Sequence, residues 1–304
     1  MTDDEDWIIE QFVGTSPRRG LVGIGDDAAV LPGGRIVTTD TMVEGTHWDD
    51  RLSAADVGWK LVAVNVSDCA AMGARPEWAT LALTAPAPLD RAWITGFEHG
   101  VREACARWGL PLIGGDTTRG PCRTVTLTVG GLAANPVLRS GGRPGDDLWV
   151  AGELGLAAEA LLAPAPRSRA MAHLRRPVPL LELGVALGER GLVTAMMDLS
   201  DGLARDLPRL CARSGCGARV TSAALPGDAP IDWRVGFGED YGLLYTAHPS
   251  AQSAIASLGM ELRLPMAVVG RLEQGPRVTL DDDDRWPAAL FAHFPRPTPF
   301  VGAP

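Results

Sequence analysis

The sequence predicts an α/β or α+β protein of two domains. Its 304 residues exceed the usual length of a single domain. Strand-like and helical hydrophobic patterns alternate along the chain, which is typical of a mixed fold. Residues 140–146 combine glycine, proline and polar residues, the strongest linker pattern present. We place the domain boundary near residues 135–145, with an N-terminal domain over residues 1–138 and a C-terminal domain over residues 139–304.

Hydrophobic periodicity predicts the elements of the N-terminal half. Trp7, Ile8 and Phe12 have helical spacing, and residues 14–25 form a glycine-rich loop. The patterns that follow predict, in order, strands over 28–31 and 35–43, a helix over 54–72, a strand over 78–85, a helix over 90–108, a buried strand over 110–113 and a half-buried strand over 123–133. Asp90 is the predicted N-cap of the second long helix, and Gly109 its C-cap.

The C-terminal half resumes the alternation of strands and helices. Its patterns predict a strand over 148–151, a helix from about residue 153, a helix over 180–190, a strand over 194–197, a helix after Asp201 and a strand over 241–246. Both halves are therefore expected to contain sheets covered by helices.

Composition excludes several classes of function. The net charge of −9 and the pI near 5.1 argue against nucleic acid or an anionic membrane as the main partner. We find neither a secretory leader nor an apolar run of about 18 residues, so we expect a cytoplasmic protein without a membrane span. The five cysteines have no metal-ligand spacing, which favours reduced thiols.

The chain contains no GxxxxGK[ST] motif, which excludes a Walker-type nucleotide site. Lys60 is its only lysine. Because Lys60 falls within a helical pattern, we interpret it as a surface or rim cation rather than a phosphate ligand.

Aspartates flanked by glycine or hydroxyl residues recur at predicted element boundaries and once inside a helix. They occur in Gly23-Ile24-Gly25-Asp26-Asp27, Thr38-Thr39-Asp40, Asn65-Val66-Ser67-Asp68, Gly114-Gly115-Asp116-Thr117-Thr118 and Asp198-Leu199-Ser200-Asp201-Gly202. One such aspartate is most often an N-cap or a turn residue. Five together favour a site, since carboxylate and hydroxyl oxygens suit Mg²⁺ and glycine admits a close phosphate. The pattern predicts several Mg²⁺ ions that bind ATP for phosphoryl transfer.

The same motifs, in the same order and followed by Gly238-Glu239-Asp240-Tyr241, resemble the thiamine-monophosphate kinases. These belong to the superfamily of aminoimidazole-ribonucleotide synthetase. The resemblance extends from about Gly23 to the C-terminus. It implies a two-domain fold of that superfamily, with an N-terminal mixed sheet that forms a homodimer and a C-terminal α/β domain that closes over the nucleotide. It also implies ATP-dependent conversion of thiamine monophosphate to thiamine diphosphate.

Carried over position by position, the resemblance implies three groups of site residues. The Mg²⁺ ligands would be Asp27, Thr38, Thr39, Asp40, Asp68, Asp116, Asp198 and Asp201. The ATP contacts would be Gly115, Asp116, Arg139 and Ser200. The substrate contacts would be His47, Glu239 and Phe291.

No catalytic side chain is expected beyond these ligands. The acceptor is a phosphate monoester, which is largely ionised near pH 7 because its second pKa is about 6. It therefore requires no general base, and catalysis would depend on positioning and charge neutralisation during an in-line transfer.

The sequence departs from the family pattern in two places. Phe237 replaces a glycine before Gly238-Glu239-Asp240-Tyr241, and Gly242 replaces a glutamate after it. Phe291 stands where the family often has a tyrosine, so stacking on the substrate is retained and a hydroxyl contact is lost.

Two alternatives remain open. Another ATP-using enzyme of the superfamily, such as an aminoimidazole-ribonucleotide synthetase, shares the fold but not the combination of Ala-Met-Gly at residues 71–73 with Gly238-Glu239-Asp240-Tyr241. A non-catalytic nucleotide-binding regulator would be expected to have lost some of the carboxylates.

Overall fold

Two sheets, each covered by helices, organise the part of the chain that the computed structural model describes, which is residues 4–13, 20–281, 283 and 286–290. The mixed α/β class predicted from the sequence is confirmed. None of the described helices combines the length and apolar character needed to cross a membrane. The five cysteines are free thiols, as predicted.

The N-terminal sheet contains five strands in the order β1-β2-β5-β3-β4. These strands are β1 (Ala29–Leu31), β2 (Arg35–Val43), β3 (Arg75–Ala85), β4 (Leu112–Arg119) and β5 (Thr124–Leu132). The helices of this half are α1 (Asp4–Val13), α2 (Ala54–Ala71) and α3 (Arg91–Trp108). Asp90 caps α3 by accepting a hydrogen bond from the Trp93 N–H, and Gly109 ends it in the left-handed conformation.

The prediction for the strand before Asp116 was wrong in two respects. The strand β4 begins at Leu112 and continues through Asp116 to Arg119, and all eight of its residues are exposed. Among the strands that the structure describes, it pairs with β3 alone, in parallel, and forms the edge of the sheet. An apolar pattern alone could not separate a buried strand from an exposed edge, because exposure depends on what lies beside the strand.

The C-terminal sheet contains six strands in the order β11-β8-β10-β6-β9-β7. These are β6 (Asp147–Ala151), β7 (Ala195–Asp198), β8 (Gly217–Val220), β9 (Leu243–Ala247), β10 (Met266–Glu273) and β11 (Val278–Leu280). Its helices are α4 (Leu156–Leu162), α5 (Ser168–Arg175), α6 (Leu181–Glu189), α7 (Leu203–Ser214), α8 (Ile231–Gly236) and α9 (Gln252–Leu262).

Helix α2 joins the two halves. It packs on α3 and the N-terminal sheet, and also on α6 and β7 of the C-terminal half. At Gly184 of α6 a Cβ would overlap the carbonyl oxygen of Ala70, so the two helices are in backbone contact. The helix is consequently buried on nearly all sides. One continuous apolar cluster therefore includes residues of both halves, such as Leu61 and Leu183.

Candidate active site

Three carboxylates from distant parts of the chain meet where α2 passes the C-terminal sheet. Asp27 precedes β1, Asp68 lies in the last turns of α2, and Asp198 ends β7. One oxygen from each lies within 4.8 Å of the others. Asp27 and Asp198 are buried and Asp68 is partly buried. An all-oxygen group of this kind fits a hard divalent cation such as Mg²⁺.

Neighbouring hydroxyl groups orient these carboxylates. The Thr38 hydroxyl of β2 donates to Asp68 Oδ2. The Ser67 hydroxyl donates to Asp198 Oδ2 at 2.7 Å, and the Ser200 hydroxyl donates to Asp198 Oδ1 at 3.1 Å. The cluster is thus fixed by hydrogen bonds from β2, α2 and the turn after β7.

The electrostatics of the cluster favour a bound cation. Burial, followed by the charges of Asp201 and Asp27, raises the pKa of Asp40 to about 6. Burial and the charge of Asp27 raise the pKa of Asp198 to about 7. Burial and the charge of Asp40 raise the pKa of Asp68 well above its ordinary value. The site therefore carries negative charge that the described side chains only partly neutralise.

Arginines are the counter-ions within the cluster. Arg139 forms a two-point pair with Asp27, with Nε at 3.1 Å from Oδ2 and Nη2 at 2.9 Å from Oδ1. Its backbone N–H also donates to Asp26 Oδ1 at 2.5 Å. Arg209 of α7 pairs with Asp201. Cationic groups therefore already lie beside the carboxylates, where an anionic ligand would need them.

A cavity of about 1080 Å³ opens over the cluster. This volume suits a nucleotide together with a second small ligand, since single-ligand pockets are commonly about 300–1,000 Å³. Eleven of the predicted site residues line it: Asp27, Thr38, Thr39, Asp40, His47, Asp68, Arg139, Asp198, Ser200, Asp201 and Glu239.

Comparison with known proteins places this architecture in a family. Residues 25–134 match the model of the AIR synthase related protein N-terminal domain, and residues 143–283 match that of the C-terminal domain. The thiamine-monophosphate kinase of Salmonella typhimurium is 38% identical over 276 residues, which are 82% of this chain and 83% of that protein. The chain belongs to the thiamine-monophosphate kinase family.

Solved structures of the thiamine-monophosphate kinase family agree with the fold. The enzyme from Stenotrophomonas maltophilia superimposes with a TM-score of 0.77 at 36% identity, covering 93% of this chain and 96% of that one. The complex of AaThiL with AMPPCP and TMP gives a TM-score of 0.81 at 28% identity and covers 93% and 94%. The hydrogenase maturation protein HypE, at 17% identity and a TM-score of 0.70, shares the fold alone.

Two predicted residues lie away from the cluster within one chain. Gly115 and Asp116 are on β4 and are not among the described residues that line the cavity. In the sheet register, Asp40 of β2 pairs with Leu127, Leu127 with Leu81, and Leu81 with Gly115. Three strand spacings, about 14 Å, therefore separate Asp40 from the Gly115 position.

The structure shows the surroundings of two further predicted residues, Thr39 and His47, but not those of Phe291. The Thr39 hydroxyl pairs with Thr128 across the strands at 3.0 Å, on the sheet face opposite Thr38 and Asp40. The His47 Nδ1 accepts a hydrogen bond from the Val43 N–H at 3.0 Å, within the turn that borders the cavity. Phe291 lies outside the described residues. The roles assigned to all three remain predictions.

The interpretation of Lys60 as a surface or rim cation was wrong. Its exposure is 1%, and its Nζ lies 2.8 Å from Glu239 Oε1. The preceding and following residues of α2 are almost all apolar, and that pattern could have indicated a helix buried on all sides. Asp240, by contrast, has a structural partner, since it accepts a hydrogen bond from the Gly155 N–H at 2.7 Å beside the start of α4.

Proposed function

We propose that the protein transfers the terminal phosphoryl group of ATP to thiamine monophosphate, giving ADP and thiamine diphosphate. The observation that carries the proposal is the carboxylate group Asp27, Asp68 and Asp198 beneath a cavity large enough for both substrates. The thiamine-monophosphate kinases named above support the substrates, because one structure of the family was solved with AMPPCP and TMP.

Several Mg²⁺ ions are part of this proposal. Asp27, Asp68 and Asp198 would hold them. Asp40 and Asp201 lie close enough to add to the negative charge of the site. Bound there, Mg²⁺ would neutralise phosphate oxygens during the transfer. The donor set fits, since it consists of carboxylate and hydroxyl oxygens.

The residues of the chain would bind and orient the two phosphates. Ser200 precedes the N-terminus of α7, where backbone N–H groups favour an anion. Arg139 lies in the same cavity and would contact the nucleotide. A phosphate oxygen of thiamine monophosphate would attack the terminal phosphorus of ATP in line, and the bond to the bridging oxygen of ADP would break. The acceptor is already ionised, so no side chain needs to remove a proton.

A homodimer would complete the site. Asp116 lies three strands from Asp40, yet it is exposed on an edge strand beside Ile113, whose exposure is 65%. We propose that β4 of a second copy brings Gly115 and Asp116 to the cluster. The exposed apolar edge supports this arrangement, because such edges are normally covered.

The decisive experiment is a discontinuous assay with purified protein, ATP, Mg²⁺ and thiamine monophosphate, in which thiamine diphosphate is measured by chromatography. Wild-type protein is expected to form it. Asp40→Asn and Asp116→Asn are expected to lower turnover by at least about a hundredfold, since each removes a proposed metal ligand, while the circular dichroism spectrum stays unchanged.

Asp232→Asn is the matched control, because Asp232 is exposed on α8, is not among the described residues that line the cavity, and should keep full activity when replaced. Wild-type rates from both Asp40→Asn and Asp116→Asn would contradict the site assignment. ATP binding without any product would instead favour a non-catalytic regulator, and consumption of ATP with a different acceptor would favour another enzyme of the superfamily. The cytoplasmic location stays a prediction from the sequence.

A further inference from the structure

A buried ion pair lies at the side of the cavity. It joins Lys60 of α2 to Glu239, which precedes β9, with Nζ and Oε1 2.8 Å apart. The Lys60 side chain is 2% exposed and the Glu239 side chain 25% exposed. Both residues line the cavity. Glu239 is therefore the member of the pair that a ligand can reach.

Stability alone gives a poor reason for this lysine. Burying an ammonium group costs desolvation energy that a pair with one carboxylate often fails to recover, and an apolar replacement is frequently as stable. The residues around Lys60 on α2 are largely apolar, so an apolar side chain would suit the same position. The charge of Lys60 is therefore better explained by an effect on its partner, Glu239, than by stability.

The backbone of Glu239 is held from two sides. Its φ of +62° is in the left-handed region, which is unusual for a residue with a side chain. The Glu239 N–H donates to the Ser200 carbonyl at 2.8 Å, and the imidazole Nε2 of His173 lies 3.1 Å from the Glu239 carbonyl oxygen. Burial lowers the pKa of His173, which favours a neutral ring that donates from Nε2.

The Glu239 segment also contacts the turn of Leu199 and Ser200, where we place a phosphate. A Cβ at Gly238 would overlap the Ser200 carbonyl, and the Tyr241 N–H donates to the Leu199 carbonyl at 2.9 Å. The position of the Glu239 backbone relative to the Ser200 turn is therefore set by backbone contacts, and the ion pair with Lys60 then orients the carboxylate. A substrate with a phosphate at one end and a ring at the other would contact both the Ser200 turn and the Glu239 carboxylate only if its length matched the distance between them.

We propose that Lys60 is a positioning residue for substrate recognition. It holds the Glu239 carboxylate by Oε1, so that Oε2 is presented to the amino group of the pyrimidine ring of thiamine monophosphate. This inference rests on the proposed function, since it concerns the same substrate. Among the described residues, the hydrogen bond found for the Glu239 carboxylate uses Oε1, which leaves Oε2 for the ligand.

The first test is steady-state kinetics of Lys60→Met, which keeps an unbranched side chain one atom shorter and removes its charge. We expect the KM for thiamine monophosphate to rise about tenfold, the scale of one charge-assisted hydrogen bond, with the KM for ATP and kcat changed by less than about twofold. Lys60→Gln retains an N–H donor and should give an intermediate KM. It also provides the measurement if the methionine variant does not fold.

Val62→Ala is the matched control for stability. Val62 is fully buried on the same helix and is not among the described residues that line the cavity. We expect it to lower Tm without changing the KM for either substrate. A Lys60→Met protein that behaves in the same way, with lower Tm and unchanged KM values, would show a merely structural ion pair and overturn the inference.

A double-mutant cycle tests whether Lys60 acts through Glu239. If it does, Lys60→Met combined with Glu239→Gln should have the KM for thiamine monophosphate of Glu239→Gln alone. Independent, multiplying effects would overturn the inference. Wild-type protein that forms no thiamine diphosphate would overturn the proposed function and this inference together, whereas active wild-type protein with an unaltered Lys60→Met KM overturns the inference only.

Discussion

At the scale of single residues, the carboxylates of the cavity determine how the protein responds to pH and to cations. One oxygen from each of Asp27, Asp68 and Asp198 lies within 4.8 Å of the others, and burial together with mutual repulsion raises the pKa of Asp68 and Asp198. Protons and divalent cations are therefore alternative ways to neutralise the same charge.

This competition predicts the pH dependence of stability in the metal-free protein. The folded-state pKa values of Asp40 and Asp198, about 6 and about 7, are above the ordinary value of 3.8. Between these limits the folded state binds more protons than the unfolded state, so the free energy of unfolding falls as pH rises, and the stabilisation is lost through about pH 6 to 7.

Urea denaturation with a chelator present measures this directly. We expect the free energy of unfolding to be lower at about pH 8 than at about pH 5 by more than about 1 kcal/mol, and Asp198→Asn to reduce the difference. Added Mg²⁺ should raise stability chiefly at the higher pH. A metal-free protein that is more stable at about pH 8 than at about pH 5 would contradict the electrostatic description of the cluster.

At the scale of elements, α2 positions the site through close helix packing. Its N-terminus is capped by Ser53, which accepts a hydrogen bond from the Asp56 N–H while the Asp56 carboxylate accepts from the Ser53 N–H. Glycines then allow α3 to approach, because a Cβ at Gly100 would overlap the Ala55 carbonyl oxygen. The position of Lys60 and Asp68 therefore depends on the contact between these two helices.

Gly100→Ala is expected to push α3 away from α2 and to lower the free energy of unfolding by about 1–3 kcal/mol, the usual cost of overpacking. Equilibrium chemical denaturation measures the change. His99→Ala, at an exposed neighbouring position of α3, should change stability by less than about 0.5 kcal/mol. Equal stability of the Gly100→Ala variant and the wild type would show that the helices can separate without cost.

At the scale of the whole molecule, one chain brings together only part of the predicted site. The cluster and the cavity lie between the two halves, whereas Gly115 and Asp116 lie on the exposed edge strand β4. A symmetric dimer that covers this edge would contain two composite sites, each with residues from both copies.

Mixing two inactive variants tests the composite site. Asp40→Asn and Asp116→Asn proteins, unfolded and refolded together in equal amounts, should recover up to about a quarter of wild-type activity, because half of the dimers are mixed and each mixed dimer has one intact site. Asp40→Asn mixed with Asp68→Asn is the control and should recover none, since those residues belong to the same cluster. Recovery absent from both mixtures would place Asp116 in the site of its own chain.

Much of the fold follows from local patterns. The bounds of β2 and the caps of α3 match the prediction, since strand alternation, an Asp N-cap and a Gly C-cap act over a few residues. The aspartate motifs likewise identified five residues that line the cavity, Asp27, Asp40, Asp68, Asp198 and Asp201. Glycine and hydroxyl residues beside these aspartates made that prediction possible. Glycine allows a phosphate to approach the backbone closely, and hydroxyl oxygens can bind Mg²⁺.

Other features were decided by the tertiary structure. The burial of Lys60 and the distance of Asp116 from Asp40 depend on strand order and on packing between halves. Sequence alone determined which residues can carry metal and phosphate chemistry. Which of them meet within one chain was set by contacts between segments far apart in sequence, and no local pattern records those contacts.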